Sequence, residues 1–287
     1  MRIFVTGGAG FIGSHLCKKL TASHKVTVYD NFSNSNKGHF PAMENVTLIV
    51  GDILDNSKLF DSMKNHDIVI HLAAKTDVID SITNPDDTFQ TNVQGTQNVI
   101  DSCNLNKISK IIATSSAAIY ENSDNSVNET SNTKPLSPYG QSKLDMENIT
   151  IQSKINYSIL RLFNVYGNGQ TNGVIANFRK NISENISLTI FGDGNAIRDF
   201  IHIDDVIDGI ILSIKSKSGI YNIASGNGTS ISHLAKLLIR LSGKNSEIIY
   251  KSVRKGEIIY SVANIIKSNN ELGFYPKISL DVGLKII

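Results

Sequence analysis

The stretch Arg2-Ile-Phe-Val-Thr-Gly-Gly-Ala-Gly-Phe-Ile-Gly-Ser14 constrains this chain more than any other. Ile3, Phe4 and Val5 form an apolar run suited to a strand buried on both faces. Glycines follow at once. Gly8, Gly10 and Gly13 fit G-x-G-x-x-G, and Gly7, Gly10 and Gly13 fit the looser G-x-x-G-x-x-G. The pattern suits a strand that turns sharply into a helix, with a backbone that approaches a pyrophosphate unobstructed and helix N–H groups that face it. Residues 14–20 continue in a helical pattern, and Val26-Thr-Val-Tyr-Asp30 reads as a second strand ending in an acid. Asp30 lies twenty residues after Gly10, where a carboxylate hydrogen-bonds a ribose diol. Together these features predict a dinucleotide site, with Gly7, Gly10, Phe11, Ile12, Gly13, Asp30 and Asn31 as its first contacts. Asp30 favours NAD over NADP: a carboxylate repels a 2′-phosphate, residues 31–36 offer no arginine, and Lys37 is the nearest cation.

A length of 287 residues allows one large core or two domains. The net charge of +2 suggests neither nucleic acid nor a membrane surface as partner. No apolar run approaches membrane-span length, and the chain starts at its first strand, which leaves no room for a signal peptide. Cys17 and Cys103 sit in helical patterns and read as small buried hydrophobes, so neither a disulfide framework nor a metal site is expected, and a cytoplasmic location fits.

Further strands are expected at Val46-Thr-Leu-Ile-Val50, Asp67-Ile-Val-Ile-His71, Lys110-Ile-Ile-Ala-Thr114 and Tyr157-Ser-Ile-Leu-Arg-Leu-Phe163. Helical patterns cover residues 56–64, 85–104 and the segment after Pro138. This alternation means a doubly wound parallel sheet of Rossmann type, helices on both faces. Asp52 and Ile53 follow the third strand at the carboxyl edge. Asp52 suits the adenine amine or, alternatively, an N-cap for the helix at 56–64. Leu72, Ala73 and Ala74 are small enough to let a cofactor backbone pass, and His71 reads as a packing histidine. Asn92 and Gly95 are poor helix formers inside a helical pattern and point to a special contact, with Asn92 a cofactor candidate. Beyond Gly167 the pattern loosens. Helices are expected at 174–183, after 206, at 231–241 and finally at 264–272, with a strand at 220–223. The domains read as 1–165 for the cofactor, with a return near 198–225, and 166–287 as a smaller α/β substrate domain laid over the carboxyl edge of the sheet.

The second focus is Ser137-Pro138-Tyr139-Gly140-Gln141-Ser142-Lys143. Ser137 suits a cap and Pro138 a first turn, and Tyr139 and Lys143, four apart, share a helix face. A phenol has a reference pKa of about 10, so a base at neutral pH needs a shift of about three units, roughly 4 kcal/mol. A lysine about 5 Å away supplies roughly 3 kcal/mol at an effective dielectric of about 20. The positive nicotinamide ring of NAD⁺ could supply the rest. Ser116, at the end of the preceding strand, would hold a substrate oxygen beside the phenol.

The chain resembles the extended short-chain dehydrogenase/reductases, and within them the nucleotide-sugar 4-epimerases, over nearly its full length. The residues that carry the likeness are Thr6-Gly-Gly-Ala-Gly-Phe-Ile-Gly-Ser14, Asp30, Gly51-Asp52, His71-Leu-Ala-Ala74, Asn92, Ser115-Ser-Ala-Ala-Ile-Tyr120, Tyr139-Gly-Gln-Ser-Lys143, Arg161-Leu-Phe-Asn164, Arg198-Asp-Phe-Ile-His202 and Asp204-Asp-Val206. The resemblance implies tightly held NAD and a UDP-linked hexose (glucose/galactose, or the 2-acetamido pair) oxidised at C4 and reduced on its other face. It assigns Tyr139 as base, Ser116 and Lys143 as its partners, Asn164 as a substrate contact, and Arg198 and Arg254 as the diphosphate clamp. A solvated charge beside Lys255 is the alternative for Arg254. It also implies a homodimer through the helices at 85–104 and 139–151. Related 4,6-dehydratases carry Asp-Glu where this chain has Ala117-Ala118, which argues against dehydration. Lys255, Glu257 and Asn264 depart from the epimerase pattern, and Ser261, small, resembles the open form of a gate that admits a 2-acetamido group. The rival activities are a nucleotide-sugar reductase, decarboxylase or C6-acting epimerase, and, from another class, a non-catalytic NAD-binding sensor.

Overall fold

The computed structural model describes residues 1–35, 40–253 and 258–287, so Lys37, Arg254, Lys255 and Glu257 lie outside the described residues. In chain order the elements begin with β1 (Arg2–Thr6), α1 (Phe11–Leu20), β2 (Lys25–Asp30), β3 (Val46–Val50), α2 (Asn56–Met63) and β4 (Ile68–His71). Next come α3 (Val78–Thr83), α4 (Pro85–Phe89), a π turn (Gln90–Gln94) and α5 (Gly95–Leu105). Then β5 (Lys110–Ser116) closes with a 3₁₀ turn (Ala117–Ile119), followed by α6 (Pro138–Gln152) and β6 (Asn156–Leu162). The remainder is β7 (Asn164–Tyr166), α7 (Val174–Ser183), β8 (Leu188–Phe191), β9 (Ile197–His202), α8 (Ile203–Ser213), β10 (Gly219–Ile223), β11 (Gly228–Ser230), α9 (Ile231–Ser242), β12 (Ile248–Lys251), β13 (Tyr260–Ser261), a π turn (Ser268–Leu272) and α10 (Leu280–Gly283).

The main sheet has seven strands in the order β10-β6-β5-β4-β1-β2-β3. The pairs β1–β2, β2–β3, β1–β4 and β4–β5 are parallel. The fold is therefore the expected doubly wound α/β type. Its central strands read as apolar runs because both faces are covered: Ile3, Phe4, Val5, Val69, Ile70, Ile111 and Ile112 are all inaccessible to solvent. The order reverses between β1 and β4, so their carboxyl ends part and leave the crevice where such sheets bind ligands.

The chain forms two compact units. Unit one comprises residues 1–120, 133–161 and 209–221. Unit two comprises residues 121–132, 162–208 and 222–287. In the second, β9 is the hub. It pairs with β11 antiparallel and with β7 and β13 parallel, while β8 and β12 make a separate parallel pair. A second core of Phe178, Ile182, Leu188, Ile190, Leu234 and Leu238 lies among α7, α9 and β8.

Several details depart from the sequence-based expectations. The single helix over 85–104 is α4 and α5 joined through a π turn. The final helix is not the segment at 264–272, which closes as a π turn stopped by Gly273 in the left-handed region (φ 67°); α10 follows it. Asp52 is not the cap of α2. Asp55 is, its side chain accepting from the Lys58 N–H, while Asp52 accepts from the Leu54 N–H in a tight turn.

Candidate active site

Unit one assembles the glycine loop at the switch between β1 and β4. Gly7 has φ 69°, and a Cβ there would lie 2.6 Å from the Ala73 nitrogen, so the loops after β1 and β4 touch backbone to backbone. A Cβ on Gly13 would meet the Gly7 carbonyl at 2.4 Å, which is why the first turn of α1 needs glycine. Gly10 differs. A Cβ there would meet the Gly7 oxygen at 3.3 Å, a tight contact, and is otherwise unobstructed by the chain, which leaves room for a group to approach from outside. Gly10 caps α1 without a side-chain hydrogen bond and the first turn holds no acid, leaving the N–H groups around Phe11, Ile12 and Gly13 for an anion.

Asp30 ends β2 with both oxygens engaged, one by the Ala9 N–H at 2.9 Å and one by the Phe32 N–H at 2.8 Å. A carboxylate accepts about four bonds, so Asp30 orders the glycine loop and keeps capacity for a hydroxyl. Asn31 donates to Asp52 at 2.9 Å and accepts from Ser33. Ile53 is a core residue: its side chain packs where a Cβ on Gly95 would fall, 2.4 Å from its Cδ1, and its carbonyl takes a bond from Asn98. Any cofactor contact from Ile53 is left to its backbone N–H.

The loop after β4, with Leu72, Ala73 and Ala74, is held from below. Asn92, 1 % exposed, accepts from the Lys75 N–H and donates to the Lys75 carbonyl and to the Ser142 hydroxyl, at 2.8 to 2.9 Å. The special contact expected of Asn92 and Gly95 is therefore present, and it is a structural one. Buried His71 continues the network, with Nδ1 2.7 Å from the Thr6 hydroxyl and Nε2 3.0 Å from that of Thr96, which itself donates to the Asn92 carbonyl. Burial, and then Lys143, pull His71 down to about 3, so the ring is neutral. In the sequence Thr6 stood only as the first residue of the glycine motif, and neither Lys75 nor Thr96 was singled out.

Ser116, Tyr139 and Lys143 come together as expected. Ser137 caps α6 by accepting from the Gly140 N–H, and Pro138 takes the first turn. Gly140 lets α6 lie against the turn after β5, since a Cβ there would be 2.4 Å from the Ala118 oxygen. The Ser116 hydroxyl accepts from the Ala118 N–H and lies close enough to the Tyr139 phenol to favour its charged form. The Lys143 ammonium donates to the Thr114 carbonyl at 2.9 Å. Burial adds a cost that residue spacing does not carry. It pushes the Tyr139 phenol up from its ordinary value, with only the Ser116 hydroxyl opposing, and it pushes Lys143 down to about 8. Desolvation penalises both charged forms, so the lysine alone does not make the phenol a base.

Unit two carries the residues assigned to the substrate. Asn164, on β7, donates to the Asp199 carbonyl at 3.0 Å. Arg198 and Ser261 are register partners on β9 and β13. Between Arg198 and Phe200, the buried Asp199 carboxylate accepts from Ser225 N and Oγ, Gly226 N and Ala263 N, tying two segments to β9. The sequence reading quoted Asp199 without giving it a role. Its signal, an acid inside a strand, is weak because its donors lie 26 to 64 residues away.

Residues 3–224 match the family described as "NAD dependent epimerase/dehydratase family". The chain belongs to this family. It is therefore an NAD-dependent enzyme. Among relatives, a protein named "Putative UDP-glucose 4-epimerase" from Methanocaldococcus jannaschii is 38% identical, spanning 99% of this chain and 96% of its own. Among solved structures, UDP-glucose 4-epimerase of Thermotoga maritima with UDP-glucose has a TM-score of 0.93 at 32% identity, covering 100% of this chain and 97% of its own. UDP-N-acetylglucosamine 4-epimerase of Methanobrevibacter ruminantium, in complex with UDP-N-acetylmuramic acid, has a TM-score of 0.92 at 32% identity, covering 99% and 96%. The residues here fit the family's cofactor: a bare Gly10, an uncapped α1 N-terminus, an acid ending β2, and a buried Ser115 hydroxyl without a partner beside Ser116. Among the described residues no cluster could hold a metal ion, and no helix is long and apolar enough to cross a membrane.

Proposed function

We propose that this protein interconverts the C4 epimers of a UDP-hexose, with glucose/galactose and their 2-acetamido counterparts as candidate pairs. The observation that carries the reading is the cluster of Ser116, Tyr139 and Lys143 beside a turn in which positions 117 and 118 are alanines. NAD, held by the glycine loop and Asp30, would supply hydride transfer at sugar C4 and a positive charge near the buried phenol. Tyr139 accepts the proton of the 4-hydroxyl and later returns it to the 4-keto sugar. Ser116 donates a hydrogen bond to the same sugar oxygen. Lys143 keeps a positive charge beside the phenolate. Ala117 and Ala118 offer no acid to protonate or deprotonate C5 or C6, so the chemistry stays at C4. On this reading Arg198, with Arg254, holds the diphosphate, Asn164 contacts the substrate, and Ser261, small, leaves room for a 2-acetamido group.

The test is incubation of the purified protein with UDP-glucose and with UDP-N-acetylglucosamine, without added reductant, followed by separation of 4-epimers. The galacto epimer should form from at least one, with no net NADH. Tyr139→Phe should keep NAD binding and lose turnover by about a thousandfold or more. Net NADH formation would favour an oxidoreductase. An active Phe variant would remove Tyr139 as the base. No product from any nucleotide sugar would leave the sensor reading.

A further inference from the structure

Two fully buried opposite charges sit beside this cluster without a role in the chemistry above. Glu147 is 1 % exposed and Arg161 4 %. They form a bidentate pair, Arg161 Nε to Oε1 at 3.0 Å and Nη2 to Oε2 at 2.8 Å. The third arm of the guanidinium, Nη1, donates to the Tyr120 hydroxyl at 3.0 Å, and the guanidinium carbon lies 5.0 Å from the Tyr120 ring centre. The connections are specific. Tyr139, Lys143 and Glu147 follow one another at intervals of four on the buried face of α6. Tyr120 closes the 3₁₀ turn that Ser116 opens. One guanidinium on β6 therefore grips both elements that carry the catalytic side chains.

We infer that Glu147 and Arg161 are positioning residues for Ser116, Tyr139 and Lys143: Arg161 ties the Ser116 turn to α6 and neutralises Glu147, so that Lys143 stays on the Thr114 carbonyl next to Tyr139. The inference rests on the epimerase reading for the words "catalytic side chains" but not for the geometry. The groups around the Lys143 ammonium are Tyr139, Met146 and Glu147 from α6, the Thr114 carbonyl from β5 and the neutral His71 from β4, with Arg161 of β6 behind Glu147. Of these only Glu147 and Arg161 are charged, and Glu147, which favours the charged lysine, is itself held by Arg161. Removing either exposes Lys143 to the other, with opposite sign.

The experiment follows the Lys143 side chain by NMR in protein carrying isotope-labelled lysine, with K143M to assign the signal, alongside the pH profile of turnover. Glu147→Gln leaves Arg161 unbalanced and should move the Lys143 titration down by about one pH unit, whereas Arg161→Met should move it up by a similar amount. The high-pH limb of turnover should shift in the same two directions. The double variant E147M/R161M leaves no unpaired buried charge and should fold even where the single variants do not. It should titrate close to the native protein yet lose about tenfold or more in kcat, because the Ser116 turn has lost its tether. Single variants that shift Lys143 in the same direction, or not at all, overturn the inference, as does a double variant with native kcat. Native protein that titrates as described but epimerises nothing would sink the functional reading and leave the charge argument standing.

Discussion

Lys143 holds a charge where the fold would be more stable without one. Burial brings its pKa from 10.5 to about 8. That difference of about 2.5 units corresponds to roughly 3 kcal/mol against the folded state at pH 7, where the amine is protonated in both states. Lys143→Met removes the charge and keeps the volume, but leaves the Thr114 carbonyl without its donor, a loss of about 1–2 kcal/mol. The variant should be inactive and more stable at pH 7, with Tm higher by about 2–5 °C. The sign with pH follows from proton counting. Between about 8 and 10.5 the unfolded chain binds more protons than the folded one, so native stability rises with pH and the advantage of the variant fades. Thermal unfolding of both proteins from pH 7 to 10.5 measures this. A constant gap would mean that burial does not lower the Lys143 pKa in the fold.

At the level of elements, the helix after β4 is the informative case. It runs from Pro85 to Leu105 but widens into a π turn at Gln90–Gln94, where Asn92 turns inward to bond both backbone groups of Lys75. A regular helix gives its interior side chains no reason to serve as backbone partners for a loop; the π turn marks a site where one does. Asn92→Ala leaves the Lys75 N–H and carbonyl unpartnered and should lower stability by about 2–4 kcal/mol, read by urea unfolding. It should also weaken NAD binding, because the Leu72–Ala74 loop above it loosens; a change under about 0.5 kcal/mol would show the amide to be replaceable by water. The sequence made this element legible only as an anomaly, two poor helix formers in one pattern. Its clearest parts were those with local causes, such as Ser137 capping α6 and the glycines of β1–α1. It hid β11 and β13, strands of three and two residues whose pairing with β9 spans dozens of positions and leaves no periodicity. It also left out the burial cost at Tyr139 and Lys143, because sequence spacing carries no measure of desolvation.

At the level of the whole chain, each compact unit holds one part of the proposed work. Unit one contains the glycine loop, Asp30, the loop after β4 and the cluster of Ser116, Tyr139 and Lys143. Unit two contains Asn164, Arg198 and Ser261, with Asp199 joining β9 to residues 225, 226 and 263. The assignment of NAD to the first and of the UDP moiety to the second is a proposal with a distinct signature in backbone hydrogen exchange. NAD binding should slow exchange over residues 7–13, 30–32 and 72–75, where N–H groups face the ligand or the loops that carry it. UDP alone should slow exchange over 197–199, 225–226 and 260–263. A diphosphate that fixes Arg198 also fixes β9, and the N–H donors to Asp199 open only when β9 moves. The two footprints should be separable, each appearing with its own ligand in the absence of the other. Protection by UDP confined to the glycine loop would mean that the diphosphate is read by the α1 N-terminus. Arg198 would then have to be sought as a structural cation of β9.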